Sequence, residues 1–351
     1  MGKKRSRVLA LFYVVAIRRC HSTGNLKSVH FRLAKLKQFY ITQKYKYFWP
    51  PKHINYLKRK ALFIINPVSG GKKKDQVPQL IHKHLDHNAY EYQIEFSTLD
   101  KEIRAIAVEA AKHYDIIVAV GGDGTVNETA SAIAGTDKLL GIIPYGSGNG
   151  LSRFLQIPMD PVKSIQLLST GSIRSIDSAQ LNGRWFFNMA GMGFDAHISE
   201  VFSHTTRRGF SSYLRSSIEE ISKYKAQEYH LEIDGNVYDR TAFMLSFANS
   251  SQYGNNAHVS PHASLHDGLL DVCVIKPFPP YRLPEMGLRM LTKTSESSKF
   301  VEIIRGRHIR VERATPGPVH LDGEPSIIGA TVQIDVIPDS LNVIVGPGYK
   351  G

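Results

Sequence analysis

Residues 116–135 read IIVAVGGDGTVNETASAIAG, and this stretch decides the fold. Five apolar residues typical of a buried strand run directly into the glycine-rich sequence GGDGT at 121–125. The apolar residues that follow recur at helical spacing; they are Val126, Ala130, Ile133 and Ala134. The stretch therefore predicts a buried strand, a glycine turn and a helix that begins at the turn.

Other parts of the first half have the same character. Residues 61–65, 91–96 and 139–143 are typical of buried strands, like the strand at 115–120. Helical patterns lie between them, and in residues 101–114 the apolar side chains keep one helical face. Strands that alternate with helices predict a parallel, doubly wound sheet, in which ligands bind beyond the carboxyl ends of the strands.

The pattern changes near residue 170. Short β-rich runs follow, among them RWFFNMA, EYHLEI, GLLDVCVI and TVQIDVI, and turn-forming pairs separate some of them. The pairs are Asn182-Gly183, Asp234-Gly235 and Asp322-Gly323. The runs predict an antiparallel sandwich or barrel, interrupted by one helical stretch at about residues 208–224.

The chain has 351 residues, which is enough for two domains. Its net charge of +13 comes from one end: residues 1–60 contain sixteen Lys or Arg and no acid, whereas the rest has 28 basic and 31 acidic residues. Two cysteines, Cys20 and Cys273, imply no disulfide framework and fit a reducing compartment. We predict a basic extension at 1–57, an α/β domain at 58–170 completed by 335–351, and a β-rich domain at 171–334.

The extension begins MGKKRSRVLALFYVVAIRRC. Its basic start and the ten apolar residues at 8–17 resemble a signal peptide, but Arg18 and Arg19 stand where small residues should mark cleavage. Ten residues are too few to span a bilayer. Three interpretations stay open: a disordered tail, a start codon assigned too far upstream, and a peripheral anchor for an anionic membrane. No known nucleic-acid-binding module is recognisable, so no nucleic-acid partner is expected.

The glycine turn predicts a phosphate site. Gly121, Gly122 and Gly124 let a ligand approach the backbone closely, and the start of a helix supplies free N–H groups and a positive dipole end. Asp123 alone would repel phosphate. A Mg²⁺ ion between Asp123 and a nucleotide phosphate removes the conflict, because Mg²⁺ is typically held by one or two carboxylates and substrate phosphates. The alternative is an aspartate that only caps the helix.

Two more glycine loops follow predicted strands. Residues 66–74, NPVSGGKKK, are not a Walker A loop, because Asn66 stands in place of the first glycine and no Ser or Thr follows Lys72. Residues 142–155, IIPYGSGNGLSRFL, lack the spacing of a GxGxxG loop. Three glycine loops at the carboxyl ends of parallel strands predict a nucleotide-binding edge.

With these motifs the chain resembles the diacylglycerol kinase catalytic family, which includes sphingosine and ceramide kinases and single-chain bacterial lipid kinases. NPVSGG, GGDGTVNE, PYGSGNGLSR, GFDA and LDGE carry the resemblance in this order, over about residues 58–348. The resemblance implies an α/β nucleotide domain, a β-rich domain and a cleft between them. It also implies ATP- and Mg²⁺-dependent transfer of the γ-phosphoryl group to a lipid hydroxyl, of diacylglycerol or a sphingoid-type acceptor.

The resemblance assigns nucleotide and metal contacts to the three loops and to a threonine after the second strand. These residues are Asn66, Pro67, Ser69, Gly70, Thr98, Gly121, Gly122, Asp123, Gly124, Thr125, Asn127 and Ser147. Ser147 departs from the threonine of many relatives.

A second acidic cluster, LDGEP at 321–325, completes the implied catalytic set. The resemblance makes Glu324 the proton acceptor for the lipid hydroxyl, although some relatives give that role to the aspartate that matches Asp123. Asp322 flanks the same glycine as Glu324, so both carboxylates could reach one cleft. Without the resemblance, Asp322-Gly323 is typical of a hairpin turn.

The sequence ASLHDGLLDV at 263–272 resembles a structural Mg²⁺ loop of bacterial members. The resemblance implies ligation by the Asp267 side chain and by the backbone carbonyls of Ser264 and Leu269, an all-oxygen set that suits Mg²⁺. The alternative is a plain Asp-Gly turn.

Two other groups are candidates for binding. His258, His262 and His266 are spaced by four, but the surrounding sequence NNAHVSPHAS indicates a loop rather than a helix with a zinc-binding face. Arg207 and Arg208 are candidates for phosphate contacts, because the arginine fork matches phosphate oxygens. The alternative is that both arginines are solvated.

Two other classes of protein stay open as alternatives. NAD kinases also carry a GGDGT turn and a β-rich second domain, but LDGE and PYGSGNG favour the lipid family. A non-catalytic membrane-binding relative is disfavoured by intact Asp123 and Glu324. A lipid substrate and no transmembrane span predict a cytoplasmic enzyme, peripheral at the inner face of the membrane, and an oligomer is compatible with the sequence.

Overall fold

The computed structural model describes residues 58–68, 74–98, 100–203, 220–221 and 223–351. Lys58–Gly351 form one compact unit. The extension at 1–57 and nearly all of the helix predicted at 208–224 lie outside the described residues. Within the described ranges, no helix is long and apolar enough to cross a membrane.

The first half alternates strands with helices, as the apolar periodicity predicts. Its strands are β1 (Arg59–Ile65), β2 (Tyr90–Phe96), β3 (Ile116–Gly121) and β4 (Leu139–Pro144). Its helices are α1 (Val77–His84), α2 (Ile103–Ala110), α3 (Asp123–Ile133), α4 (Gly150–Phe154) and α5 (Pro161–Thr170). The side chains of β3 are buried throughout, which is typical of a parallel strand covered on both faces.

The four strands form a parallel sheet in the order β2-β1-β3-β4. The order reverses between β1 and β3, so the loops that follow these two strands lie next to each other at one sheet edge. In doubly wound sheets this switch point is where ligands bind.

The second half is mainly antiparallel. Its strands are β5 (Ser172–Leu181), β6 (Arg184–Phe186), β7 (Met189–Gly193), β8 (Gln227–Ile233), β9 (Asn236–Ala242), β10 (Met244–Ala248), β11 (Gln252–Gly254), β12 (Ala257–His258), β13 (Leu270–Ile275), β14 (Val301–Gly306), β15 (His308–Arg313), β16 (Gly317–Leu321), β17 (Glu324–Ile328) and β18 (Thr331–Val345). Two α-helices, α6 (Phe194–Ser203) and α7 (Leu283–Leu291), and two 3₁₀ turns, Pro280–Arg282 and Ser295–Ser297, complete the described elements.

Two sheets face each other in this half. One has the order β14-β13-β10-β7-β16-β17 and is antiparallel throughout. The other consists of β18, β15, β8 and β9, with β5 and β6 attached. A core of side chains such as Phe186, Phe247 and Leu231 fills the space between the sheets, so the predicted antiparallel sandwich is confirmed.

The long strand β18 belongs to both halves. Its residues Asn342 and Val343 pair in parallel with β4, whereas Thr331–Asp335 pair antiparallel with β15. The α/β sheet therefore continues into one layer of the sandwich. The exact domain boundaries at 170 and 335 stay a prediction.

The Asn-Gly and Asp-Gly pairs form the hairpin turns that they predict. Asn182, Asp234 and Asp322 have φ of 47°, 47° and 50°, and each following glycine also has positive φ. Two consecutive residues with positive φ are typical of the type I′ turn, which matches the twist of a hairpin. One of these turns, at Asp322, joins β16 to β17 and leads directly to Glu324.

Candidate active site

The switch point brings the first two glycine loops together. Asn66, the first residue after β1, donates from its backbone N–H to the Val120 carbonyl (3.2 Å) and from Nδ2 to the Thr125 hydroxyl (3.2 Å). The Val68 N–H donates to Asn66 Oδ1 (3.1 Å). Asn66 and Thr125, predicted from separate loops, therefore lie at one site.

Asp123 joins the third loop to this site. Its Oδ2 accepts the N–H of Asn149 and its Oδ1 accepts the N–H of Gly150, each at 2.9 Å. These N–H groups belong to the start of α4, where backbone donors lack helical partners. Asp123 thus caps a helix, but that helix is α4 and not its own helix α3.

The ionisation of Asp123 reflects this position. Burial raises the pKa of Asp123, and the charge of Asp322 raises it further, while the two backbone hydrogen bonds lower it; the result is about 6. At neutral pH the carboxylate is therefore mostly ionised, and these hydrogen bonds do not use all of its roughly four acceptor positions.

Glycine is required where the loops meet. A Cβ atom on Gly146 would lie 2.5 Å from the Gly122 Cα and 2.6 Å from Asn149 Oδ1. A Cβ on Gly148 would lie 3.0 Å from Asp123 Oδ2. The GGDG turn and the YGSGNG loop are thus packed backbone against backbone, and the N–H groups of Gly146, Asn149 and Gly150 donate to side chains within the protein.

Asp322 is buried behind the turn and fully occupied. Its Oδ1 accepts the N–H groups of Asn188 and Met189 (both 2.9 Å), and its Oδ2 accepts Asn127 Nδ2 (2.7 Å) and the Phe187 N–H (3.0 Å). Burial raises the pKa of Asp322, and these four donors partly offset the shift. The donors use the roughly four acceptor positions of a carboxylate. A chemical role for Asp322 stays a prediction; its contacts give it a positioning role.

Glu324 projects from the same hairpin toward the glycine turn. Its carboxylate lies against the Cα of Gly124, so that a Cβ on Gly124 would overlap Oε1 and would lie 3.2 Å from Cδ. Glu324 is exposed. It therefore offers a solvent-accessible carboxylate beside the turn that contains Asp123.

The remaining predicted residues divide into three groups. Asn127 lies in the site but holds Asp322 and the Trp185 carbonyl (3.1 Å). Thr98 and Ser147 are exposed after β2 and β4, where their hydroxyls could reach a ligand. Pro67 is exposed in the first loop, and Ser69 and Gly70 lie outside the described residues, as do Arg207 and Arg208.

Sequence reasoning missed Lys74. In the sequence it is the last of three consecutive lysines, a pattern typical of a solvated segment. In the structure it is 3% exposed, and its Nζ lies 5.7 Å from the centre of the Tyr145 ring at the start of the third loop. Burial lowers the pKa of Lys74. No local pattern in the sequence distinguishes Lys74 from Lys72 and Lys73, so only its burial beside Tyr145 reveals it.

A buried pair of side chains, His320 and Asp195, contacts the hairpin between β16 and β17. His320 Nε2 lies 2.5 Å from Asp195 Oδ2, and the Gly323 N–H donates to His320 Nδ1 (3.3 Å). Burial lowers the pKa of His320, but the nearby Asp195 carboxylate outweighs it, so the pKa is raised overall. Asp195, the aspartate of GFDA, thus connects through His320 to the turn that precedes Glu324.

The predicted structural Mg²⁺ loop is a turn that directly precedes β13. Asp267 Oδ1 accepts the N–H of Leu269 (3.1 Å), and Ser264 Oγ accepts the N–H of His266 (3.2 Å). Metal binding by Ser264, Asp267 and Leu269 stays a prediction. The described residues contain no group of three or more His, Cys, Asp or Glu side chains placed to hold a metal ion.

The three histidines spaced by four do not share a helical face. His258 Nδ1 contacts the Ser251 hydroxyl (2.9 Å), His262 pairs with Glu296 (2.9 Å), and His266 contacts the Tyr349 hydroxyl (2.9 Å). The loop that the sequence predicts is therefore present.

The fold and this edge define a class. A parallel sheet with glycine loops at its switch point, continued into an antiparallel sandwich that supplies an acidic hairpin, suits a phosphotransferase, because phosphoryl transfer depends mainly on positioning and charge neutralisation.

The comparisons give the family. The model of the diacylglycerol kinase catalytic domain matches residues 60–181, and that of the YegS C-terminal NAD kinase beta sandwich-like domain matches residues 188–345. The chain is 32% identical over 254 residues to a protein of Pseudomonas aeruginosa named as a YegS-like lipid kinase, covering 71% of this chain and 83% of the relative. The chain belongs to the diacylglycerol kinase catalytic family and is a kinase.

Two further proteins are similar to the chain, one in sequence and one in fold. A diacylglycerol kinase of Bacillus subtilis is 28% identical over 273 residues, covering 76% of this chain and 90% of the relative. A crystal structure of a diacylglycerol kinase from Bacillus anthracis has the same fold, with a TM-score of 0.66, 22% identity, and coverage of 83% of this chain and 98% of that one.

Proposed function

We propose that this lipid kinase transfers the γ-phosphoryl group of ATP to the hydroxyl of a diacylglycerol. The observation that carries the proposal is the convergence of Asp123, held by the start of α4, and Glu324, lying against Gly124, at the edge where three glycine loops meet. The diacylglycerol acceptor is supported by the activity for which the relatives are named.

The residues at this edge fit a magnesium–nucleotide ligand. The hydrogen bonds of Asp123 leave part of its carboxylate for a cation, and Mg²⁺ typically binds one or two carboxylates plus substrate phosphates. When bound, Mg²⁺ supplies positive charge that offsets the charge of the transferred group. The N–H groups at the start of α3 orient the phosphates, since Gly122 and Gly124 leave no side chains of their own in the way.

Glu324 is the proposed proton acceptor. It is exposed beside Gly124, so an incoming hydroxyl can reach it, whereas the oxygens of Asp123 and Asp322 already accept protein N–H groups. Asp322 fixes the base of the hairpin through β7 and Asn127, and the Asp195–His320 pair contacts the same turn. Glu324 accepts the hydroxyl proton as the oxygen attacks the γ-phosphorus, and ADP leaves.

An acceptor panel tests the proposal. The full chain is incubated with Mg²⁺ and γ-labelled ATP in the presence of diacylglycerol, sphingosine, ceramide or NAD. We expect label in diacylglycerol and its loss on chelation of Mg²⁺. Label in sphingosine or ceramide would identify a lipid acceptor other than diacylglycerol, and the protein would still be a lipid kinase. Label in NAD alone would overturn the proposal.

We also propose that the enzyme acts as a peripheral protein at the cytoplasmic membrane face, because its acceptor resides in a bilayer. The basic extension is the proposed anchor, since sixteen positive charges without one acid attract anionic lipid.

A further inference from the structure

A pocket of about 550 Å³ opens between α4 and the end of α7, outside the site described above. We call it the α4–α7 pocket. Its lining residues are Arg153, Gln156, Ile157, Pro158, Met159, Gln252, Asn256, His258, Leu291 and Lys293. The volume falls within the range of small-molecule sites, about 300–1,000 Å³.

The charge of the pocket has one sign. Arg153 and Lys293 contribute positive charge from the two halves of the unit, and none of the described residues that line it is acidic. His258 adds a ring that stays neutral at pH 7, because burial and then Lys293 lower its pKa. The other polar lining groups are amides, which can donate to an anion.

The two cations lack the protein partners that nearby cations have. Arg282 and Arg289 on the neighbouring segment both pair with Glu285, at 2.6 and 2.9 Å. Within the described part of the chain, neither Arg153 nor Lys293 forms an ion pair. Arg153 donates from Nε to the Gly148 carbonyl (3.1 Å), which orients its guanidinium and leaves the two terminal nitrogens for another acceptor.

The backbone conformation at Lys293 is a further observation about this pocket. Lys293 has φ of 59°, the left-handed conformation that commonly ends a helix and that glycine or asparagine usually fills. A lysine in this conformation is less favourable than glycine, because its Cβ crowds the backbone. Its positive charge at the pocket is a reason to hold lysine rather than glycine at this position.

An apolar surface adjoins the cations. Leu288 and Leu291 on α7 are 61% and 58% exposed, and Tyr281 just before the helix is 76% exposed. Leu291 also lines the pocket. Exposed apolar side chains beside a cationic pocket suit a ligand with a phosphate at one end and hydrocarbon at the other.

We propose that the α4–α7 pocket binds the phosphate of an anionic phospholipid between Arg153 and Lys293, with the adjoining hydrocarbon on Leu291 and Leu288. This site would be separate from the acceptor and nucleotide sites. It would hold the third glycine loop near the membrane surface, because Arg153 is bonded to Gly148. The proposal concerns binding and does not depend on the phosphoryl transfer.

Calorimetry with a monomeric lipid tests the proposal on the full chain. Dihexanoyl phosphatidylglycerol, kept below its critical micelle concentration, presents the headgroup and short chains without a membrane to which the basic extension could bind. The variant is Lys293→Glu. Its matched control is Lys299→Glu, an exposed lysine outside the pocket whose Nζ lies 5.2 Å from the centre of the Phe300 ring. Inorganic phosphate, Leu291→Ser and the distant control Val237→Ser separate the headgroup from the chains.

We expect saturable binding that Lys293→Glu weakens by at least about fivefold, while Lys299→Glu leaves it unchanged. Leu291→Ser should weaken binding of the lipid, and Val237→Ser should not. Equal binding by wild type and Lys293→Glu would overturn the site. Inorganic phosphate that binds as tightly as the lipid would overturn the lipid assignment and leave only a free-anion site.

Discussion

The Glu324 carboxylate lies against the Cα of Gly124, so a side chain on the residue after Asp123 would have to displace it. The two residues come from different halves of the chain, 200 positions apart. Their contact places an acid from the hairpin of the sandwich directly on the glycine turn of the α/β sheet. The geometry therefore predicts that the two positions are functionally coupled.

Replacement of Gly124 by alanine tests this contact. The added Cβ would overlap Glu324 Oε1 and displace the carboxylate. The backbone at Gly124 does not have positive φ, so the Gly124→Ala variant should fold. We expect kcat to fall by about tenfold or more, an estimate based on the cost of misplacing a catalytic group. The matched control is Gly287→Ala on α7, where a Cβ meets nothing within 4 Å.

The double variant sharpens the result. If Gly124→Ala acts through Glu324, adding it to Glu324→Gln should lower kcat little further, since coupled residues are not additive. Fully additive losses of kcat would mean that Gly124→Ala acts independently of Glu324.

The role of Glu324 as base predicts a kcat effect. Glu324→Gln removes the proton acceptor and keeps the shape, so kcat should fall by roughly 10² to 10⁴. KM for ATP should barely change, because the nucleotide contacts lie on the glycine loops. Initial rates with dispersed diacylglycerol measure both, with Glu232→Gln on the exposed face of β8 as control. Wild-type turnover in Glu324→Gln would move the base to Asp123.

Asp322 predicts a stability effect. Asparagine would present an NH₂ group to donors that now bond one carboxylate oxygen, leaving two of them unsatisfied. The expected loss is about 2 kcal/mol or more, which lowers Tm by roughly 3 °C or more for a chain of this size. Thermal unfolding of Asp322→Asn measures the loss against Asp137→Asn, whose side chain is 87% exposed. An unchanged Tm would mean that the four hydrogen bonds contribute nothing net.

The basic extension predicts a salt-dependent membrane affinity. Deletion of residues 1–57 should leave activity on detergent-dispersed lipid intact and weaken binding to anionic vesicles, each near-surface charge contributing about 1 kcal/mol before screening. The difference should shrink as salt rises. Vesicle sedimentation at low and high salt measures it. Equal binding by both proteins at low salt would exclude an anchoring role.

Much of the fold could be predicted because the relevant signals are local. The apolar runs of β1, β3 and β4, the period of α2 and α3, and the Asn-Gly and Asp-Gly turns each act over a few residues. Residues 91–96 form the predicted strand, but β2 is an edge strand with Glu91, Gln93 and Phe96 exposed rather than a buried one. The sequence does not predict the helices α6 and α7, because α6 begins within GFDA among β-rich runs and α7 has only nine residues, with Pro284 near its start.

The site could be predicted in part for the same reason. Motif loops mark Asn66, Asp123 and Glu324, but the contacts of Asp322 come from backbone N–H groups more than 130 positions away. Nothing near Asp322 in the sequence indicates those donors. The burial of Lys74 likewise depends on tertiary packing, since its Nζ lies beside the ring of Tyr145, 71 positions away.

The most direct test of the account is label transfer from γ-labelled ATP to dispersed diacylglycerol by wild type and by Asp123→Asn, with Asp137→Asn as control. Asparagine cannot accept both N–H groups of Asn149 and Gly150 as Asp123 does, and it lacks the charge to hold a cation. We predict rapid transfer by wild type and by the control, and a rate at least about 10²-fold lower in Asp123→Asn. Near wild-type transfer by Asp123→Asn, with its fold intact, would contradict the account.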